Sequence, residues 1–187
     1  MAITKWGLLV LAFLVVTTAL VPVAVTFIEK RHARELQRLV PYVGPLTDGQ
    51  GGTSVVYFSR SGNIALAARH IANRLGAQLF ELDAPDYRLG LAGWANAMHD
   101  ARGEEADISP REMDLSRFDT VYLGSPVWLY SPAPPIWAFV ENNRFDGKRV
   151  VLFNTFNSEL SEDSIARFRV KVMARARLST MPPGGGG

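Results

Sequence analysis

The sequence predicts an α/β domain built on a parallel sheet with helices on both faces, preceded by one transmembrane helix. Three observations predict it. From Ser54 onward, short β-branched or aromatic runs alternate with segments of helical period, the pattern of repeated βα units. One long apolar run fills the amino-terminal region, and a Pro- and Gly-rich stretch separates it from the alternating part.

The apolar run comes first. Trp6 to Ile28 is 23 residues without an ionisable side chain, about 34 Å as a helix against a hydrocarbon core of about 30 Å. A cleaved signal peptide carries an apolar run of about 7 to 15 residues and a small-x-small cleavage site. This run is longer, and cleavage after Ala24 would put Pro22 where a small residue belongs. An uncleaved span is therefore expected, through which membrane lipid holds residues 6–28, kinked at Pro22 rather than ended there. Only Lys5 precedes it, whereas Lys30, Arg31, Arg34 and Arg38 follow, an asymmetry that keeps the remaining chain in the cytoplasm. His32, Glu35 and these basic residues read as a helix extension along anionic headgroups. Residues 1–40 thus form an anchor and juxtamembrane helix, 41–53 (PYVGPLTDGQGGT) a flexible linker, 54–178 the α/β domain, and 179–187 a disordered tail.

Within the domain, 54–58 (SVVYF) is the first strand, and 63–75 a helix burying Ile64, Ala67, Ala68, Ile71 and Leu75. A second strand covers 77–82, and a helix 91–103 carries Trp94 and Met98 on one face at i and i+4. The third strand is 119–124; a helix starting near Pro134 carries Ile136, Trp137, Phe139 and Val140; the fourth strand is 149–154 and the last helix 164–177.

Cysteine is absent, which excludes disulfides, thiolate nucleophiles, iron–sulfur clusters and Cys-ligated zinc. Any redox chemistry must come from a bound cofactor. His70 and His99 lack a second ligand at metal spacing, and Ser61 has no candidate base beside it in sequence, so neither a metal site nor a Ser hydrolase is supported and no catalytic residue is assigned. Residues 41–163 hold ten Lys and Arg against 16 Asp and Glu, while 164–187 hold five basic residues and no acidic one. The acidic body suits a basic redox partner. The last helix reads as a solvated basic face (Arg167, Arg169, Lys171, Arg175, Arg177) over Ile165, Phe168, Val172 and Met173, with contact to anionic lipid as the alternative. Nucleic acid is not expected, because the basic run lacks interleaved stacking aromatics.

Ligands of parallel sheets bind at the carboxyl ends of the strands. Ser59-Arg60-Ser61-Gly62-Asn63 follows the first strand; a Gly turn flanked by hydroxyls at a helix start is how a chain builds an anion nest. The plain alternative is a strand-to-helix turn capped by Asn63. Neither G-x-x-x-x-G-K-[ST] nor G-x-G-x-x-G occurs there, so neither a triphosphate loop nor a dinucleotide fingerprint is supported. Gly124 to Pro132 follows the third strand and puts Trp128 and Tyr130 on a Pro- and Gly-punctuated loop, suited to cover a flat ring or to pack the lip of the domain. Asn154-Thr155-Phe156-Asn157-Ser158 ends the fourth strand with hydrogen-bonding groups for a ring edge.

With these residues in place, the stretch from Val55 to about Ser158 resembles the flavodoxin-like family. It is closest to the branch with an S-R-[ST]-G-N loop, a G-x-P-[IV]-W loop and an F-[DS]-G-K segment, here Ser59 to Asn63, Gly124 to Trp128 and Phe145 to Lys148; Pro85 to Tyr87 is also similar. The resemblance implies noncovalent FMN and a sheet order of 2-1-3-4. It implies that Ser59, Ser61, Gly62, Asn63 and the Arg60 N–H hold the phosphate, that Pro126, Val127, Trp128 and Tyr130 line or stack on the ring, and that Asn154, Thr155, Phe156 and Asn157 close its other edge. The family commonly has a hydroxyl residue where Ile64 stands, and a fifth strand and helix for which this sequence offers no candidate. The fourth strand is then an edge to be covered by the anchor, a partner chain or a membrane surface. A membrane-anchored carrier passing electrons through FMN is the function these features imply, to a redox protein or a quinone. The alternatives are an FMN-dependent NAD(P)H:quinone or flavin reductase and an anchored interaction module without flavin.

Overall fold

The computed structural model of the chain describes residues 5–36, 52–155 and 159–177. Nearly all of the 41–53 linker and the whole 179–187 tail lie outside them.

Helix α1, Lys5–Leu36, is continuous through Pro22, and at 32 residues it is about 48 Å long. It is the one helix among the described residues long and apolar enough to cross a membrane. Two of its threonines are satisfied within the helix: Thr17 Oγ1 donates to Phe13 O at 2.9 Å and Thr18 Oγ1 to Leu14 O at 2.7 Å. One stripe leaves the exposed pattern. Pro22 and Thr26 are buried and Val25, Glu29 and Ala33 half-buried, a helical spacing that marks the side facing the domain.

The domain follows as β1 (Thr53–Tyr57), α2 (Asn63–Leu75), β2 (Gln78–Glu81), a 3-10 turn (Pro85–Tyr87), α3 (Leu91–His99), β3 (Thr120–Trp128), β4 (Ser131–Pro132), α4 (Pro134–Asn142), β5 (Arg149–Thr155) and α5 (Glu162–Arg177). Strands β2, β1, β3 and β5 lie side by side in parallel, the order expected for the four long strands. The expectation omitted β4, which folds back antiparallel on the end of β3, pairing Trp128 with Ser131. It also ended the third strand at Gly124, whereas β3 runs four residues further because Ser125 and Pro126 keep pairing with Asn154 and Thr155 of β5.

Alternation along the strands sorts the core into two layers. Val55 and Tyr57 face α2 together with Ile64, Ala68 and Ala72, and Tyr122 and Phe153 close this layer. Val56, Phe58, Val121 and Leu123 face the opposite way, against Ile136, Trp137, Phe139, Val140 and Phe168 of α4 and α5. Helix α4 is buried from Pro134 to Val140, since it packs against both β3 and α5.

Gly124 sits where the α2 layer is tightest. A Cβ there would lie 2.4 Å from the Phe153 ring, 2.8 Å from Tyr57 Cβ and 3.0 Å from Ile64. Gly124→Ala is expected to destabilise the domain by about 1–3 kcal/mol, the cost of overpacking a filled core, read as a lower urea midpoint with an unchanged slope.

Three expectations on helices are corrected. On α2, Leu75 was expected in the core but is exposed at the last turn, and Ala72 takes the inward place. Helix α3 stops at His99 rather than Gly103, where the Gly103 N–H turns back to Asp100 O at 2.7 Å. Its inward face is Gly93 and Ala97, with Trp94 half-buried and Met98 exposed; a Cβ on Gly93 would collide with Arg88 O at 1.9 Å, so the helix packs on its small residues. On α5, Phe168 is buried against Trp137 at 5.1 Å and Val172 is half-buried, but Ile165 and Met173 are exposed. Its basic face is engaged by the acidic body. Arg167 and Lys171 pair with Glu104 at 2.7 and 2.8 Å, and Lys171 and Arg175 both pair with Glu141.

Candidate functional site

Parallel strands deliver their following segments to one end of the sheet, and there the segments touch in sequence. The Phe58 N–H donates to Gly124 O at 3.0 Å. The Phe58 ring meets Trp128 edge-on at 5.8 Å, and Trp128 meets Tyr87 at 5.1 Å. The segments after β1, β2 and β3 therefore share one aromatic cluster. Ser161, at the start of α5, donates its N–H to Tyr130 O at 2.9 Å, which ties the exit of the β5–α5 connection to the tip after β3.

The loop after β1 is organised by Ser59. Its Oγ accepts the N–H of Gly62 at 3.1 Å and of Ala65 at 3.2 Å. Gly62 holds the N-cap position with φ 95°, and no capping bond comes from its own side-chain position. This corrects the plain alternative of an Asn63 cap: Asn63 is the first helical residue and its side chain is exposed. The first-turn N–H groups of Asn63 and Ile64 have no acceptor within a helix of this geometry and point out of its positive end. Ser61 is half-buried beside them. Ile64 turns inward, 1% exposed, so the position where a hydroxyl was expected serves the core.

Arg60 does something sequence reasoning missed. Beyond its backbone, the guanidinium reaches three segments: Nε donates to Tyr87 O at 3.1 Å, Nη2 to Gly90 O at 3.4 Å, and Nη1 pairs with Glu29 of α1. The side chain is 5% exposed. No spacing rule links residue 60 to residue 29, because only the tertiary fold brings them together.

The aromatic tip is a two-residue hairpin turn whose central residues, Leu129 and Tyr130, both have positive φ, 43° and 69°. Such turns favour Asn-Gly, and a bulky residue there costs on the order of 1–2 kcal/mol. Leu129 and Tyr130 are 47% and 54% exposed. Strain that holds large apolar side chains out at a strand end points to a function for the tip. Trp128, by contrast, is half-buried in the aromatic cluster, and Pro126 and Val127 are half-buried strand residues rather than loop.

On the last segment, Asn154 donates its side-chain amide to Ser125 O at 2.9 Å, bracing the ends of β3 and β5, and Thr155 pairs with Pro126. Phe156 and Asn157 lie outside the described residues. Tyr87 was noted only as part of a segment, yet it is central. Burial, with the Asp100 carboxylate as the next cause, pushes its hydroxyl well above the usual tyrosine range, and the O–H donates to Asp100 Oδ2 at 3.2 Å. Burial, then Glu81, shifts Tyr57 the same way. A raised folded-state value stabilises fully below the unfolded value of about 10 and is lost as pH rises past it. Tyr87→Phe is therefore expected to remove part of the fall in stability above about pH 10, checked by urea denaturation across alkaline pH.

Chemically, the arrangement offers N–H groups and Ser hydroxyls for an anion at the start of α2, and an aromatic wall one strand away. Residues 53–170 match the flavodoxin family. No curated protein matches the chain. Among solved structures it is similar to a protein of Bacteroides uniformis ATCC 8492 assigned as a flavoprotein, at 23% identity and TM-score 0.55 over 65% of this chain and 85% of that one. It is also similar to a flavoprotein in complex with FMN from Lactobacillus acidophilus NCFM, at 22% identity and TM-score 0.51 over 64% and 85%. A third, assigned the same way from Bacteroides eggerthii DSM 20697, shares 22% identity at TM-score 0.53 over 66% and 81%. At such identities the likeness is one of fold.

Proposed function

The chain belongs to the flavodoxin family, and from that premise we propose that it binds FMN noncovalently and passes electrons through it while α1 anchors it in a membrane, with the domain on the cytoplasmic side. FMN supplies one- and two-electron transfer when bound. The protein's part is to hold and shield the cofactor. The observation that carries the reading is the loop after β1: Ser59 folds it into a left-handed turn at Gly62, directly before the open N–H groups of Asn63 and Ile64, with Ser61 half-buried on the same loop. That donor set suits a terminal phosphate dianion. Trp128 and Tyr130, one strand over, supply the wall for a flat ring, and the L. acidophilus relative was crystallised with FMN.

No acid–base pair is needed for electron transfer, and the site residues contain no carboxylate or imidazole. Support for the anchor is the length and composition of α1, the Thr17 and Thr18 hydroxyls bonded back to the helix backbone and the basic residues at its carboxyl end.

The test is purification in detergent followed by an absorption spectrum and an FMN fluorescence titration. Flavin bands, or saturable quenching of added FMN, are expected; no bands and no quenching would overturn the reading. Rapid reduction by NADH or NADPH alone would make the protein a reductase instead of a carrier.

The strained tip offers a sharper check, because two quantities should move in opposite directions. Exchanging Leu129 for Asn and Tyr130 for Gly relieves the turn and is expected to raise the stability of the FMN-free protein by about 1–3 kcal/mol. The same change removes ring contacts and should weaken FMN binding about tenfold, the worth of one lost aromatic contact of roughly 1–1.5 kcal/mol.

A further inference from the structure

The anchor is not a free tether in this structure. Glu29, the first charged residue after the apolar run, pairs with Arg60 in the loop after β1, and Arg60 in turn bonds Tyr87 O and Gly90 O. Pro22, Thr26 and Glu29 lie on one side of α1, packed towards α2 and α3. The ion pair is largely out of solvent, with side chains 5% and 22% exposed. A rigid link of this kind at the end of a span fixes which end of the domain meets the bilayer. The end it selects is the one bearing exposed apolar side chains: Leu91 follows Gly90 directly, and Leu129 and Tyr130 form the tip after β3. The basic residues just beyond, Lys30, Arg31 and Arg34, suit anionic headgroups.

We infer that the carboxyl-end loops of the sheet dock on the anionic bilayer surface, with Leu91, Leu129 and Tyr130 entering the headgroup layer and the Glu29–Arg60 pair locking that orientation. This rests on the reading of α1 as a membrane anchor. A flavin held by these loops would then lie on the membrane side of the domain, which favours lipid-dissolved electron carriers over soluble proteins. Apolar side chains at the interface gain by burial, and a half-buried ion pair between two elements resists their separation far more than a solvated one.

Because the chain has no cysteine, single cysteines at Leu91→Cys, Tyr130→Cys and Arg144→Cys can each carry an environment-sensitive fluorophore. Arg144 precedes β5 and lies at the opposite end of the sheet, exposed. The full chain is reconstituted in phosphatidylcholine and phosphatidylglycerol vesicles, and quenching by headgroup-depth spin-labelled lipid is measured. Quenching at 91 and 130 several-fold above that at 144 is the expected result; equal quenching at 130 and 144 overturns the docking. Glu29→Lys should bring the quenching at 130 down to the level at 144, and adding Arg60→Glu should restore it; no change in either variant overturns the lock. Alkaline carbonate extraction of the same vesicles reads the anchor separately. A chain that washes off fails as an anchored protein and the docking with it, whereas a chain that stays but shows equal quenching loses only the docking.

Discussion

Gly62→Val is expected to abolish FMN binding at micromolar cofactor while leaving most of the fold intact. Gly62 has φ 95°, a region in which an L residue is strained and a β-branched one more so. Valine must move the backbone, and the Ser59 bonds to Gly62 and Ala65 that shape the loop go with it. Losing two charge-assisted bonds to a phosphate, each worth roughly 1.5–3 kcal/mol, weakens binding by about two to four orders of magnitude. The loop lies at the protein surface end of α2, so the cost to unfolding free energy should be only about 1–2 kcal/mol. Fluorescence titration and urea denaturation on the same preparation separate the two effects. An unaltered FMN affinity would sink the assignment of this loop to the phosphate.

The second large effect is on stability. Trp137 is fully buried, packs on Phe168 at 5.1 Å and donates Nε1–H to Pro132 O at 3.0 Å and Ser131 Oγ at 3.2 Å. Truncation to Ala is expected to cost about 3–5 kcal/mol, a large share of the roughly 5–15 kcal/mol that holds a domain together. Trp137→Phe is the informative companion. It keeps most of the ring but removes the indole N–H, leaving Pro132 O only the Ser131 hydroxyl as donor, costing about 0.5–1.5 kcal/mol, and it should loosen β4 specifically. Faster amide exchange at Ser131, with β1 and β5 unchanged, would show that one indole holds the tip after β3 to the core. Uniform acceleration across the sheet would contradict that local role.

These cases show what kind of information a sequence carries. The bounds of helix α2, Asn63–Leu75, were legible because its apolar period and the Gly62 turn at its entry act locally, although the same period misplaced Leu75, which is exposed while Ala72 packs inward. The four long strands and their order followed from β-branched runs, turn residues and family resemblance. The candidate site was legible as residue types: hydroxyls around a Gly, and aromatics after the third strand. It was not legible as roles. Ser59 was expected to serve a ligand, and its Oγ shapes the loop; Asn154 was expected at the ring edge, and its amide braces β3 to β5. Leu129 and Tyr130 look like ordinary turn-flanking residues, since nothing in their side chains announces a positive φ.

By itself, the sequence determined the local elements, the apolar length of α1 and the chemistry available after each strand, because helical period, strand alternation and turn preference are set by neighbours a few residues apart. Only the tertiary structure decided that Arg60 reaches Glu29, that Tyr87 joins Trp128 and Phe58, and that β3 runs on to fold back as β4. Those contacts join residues tens of positions apart, and their free energy depends on which surfaces the packed core leaves facing each other.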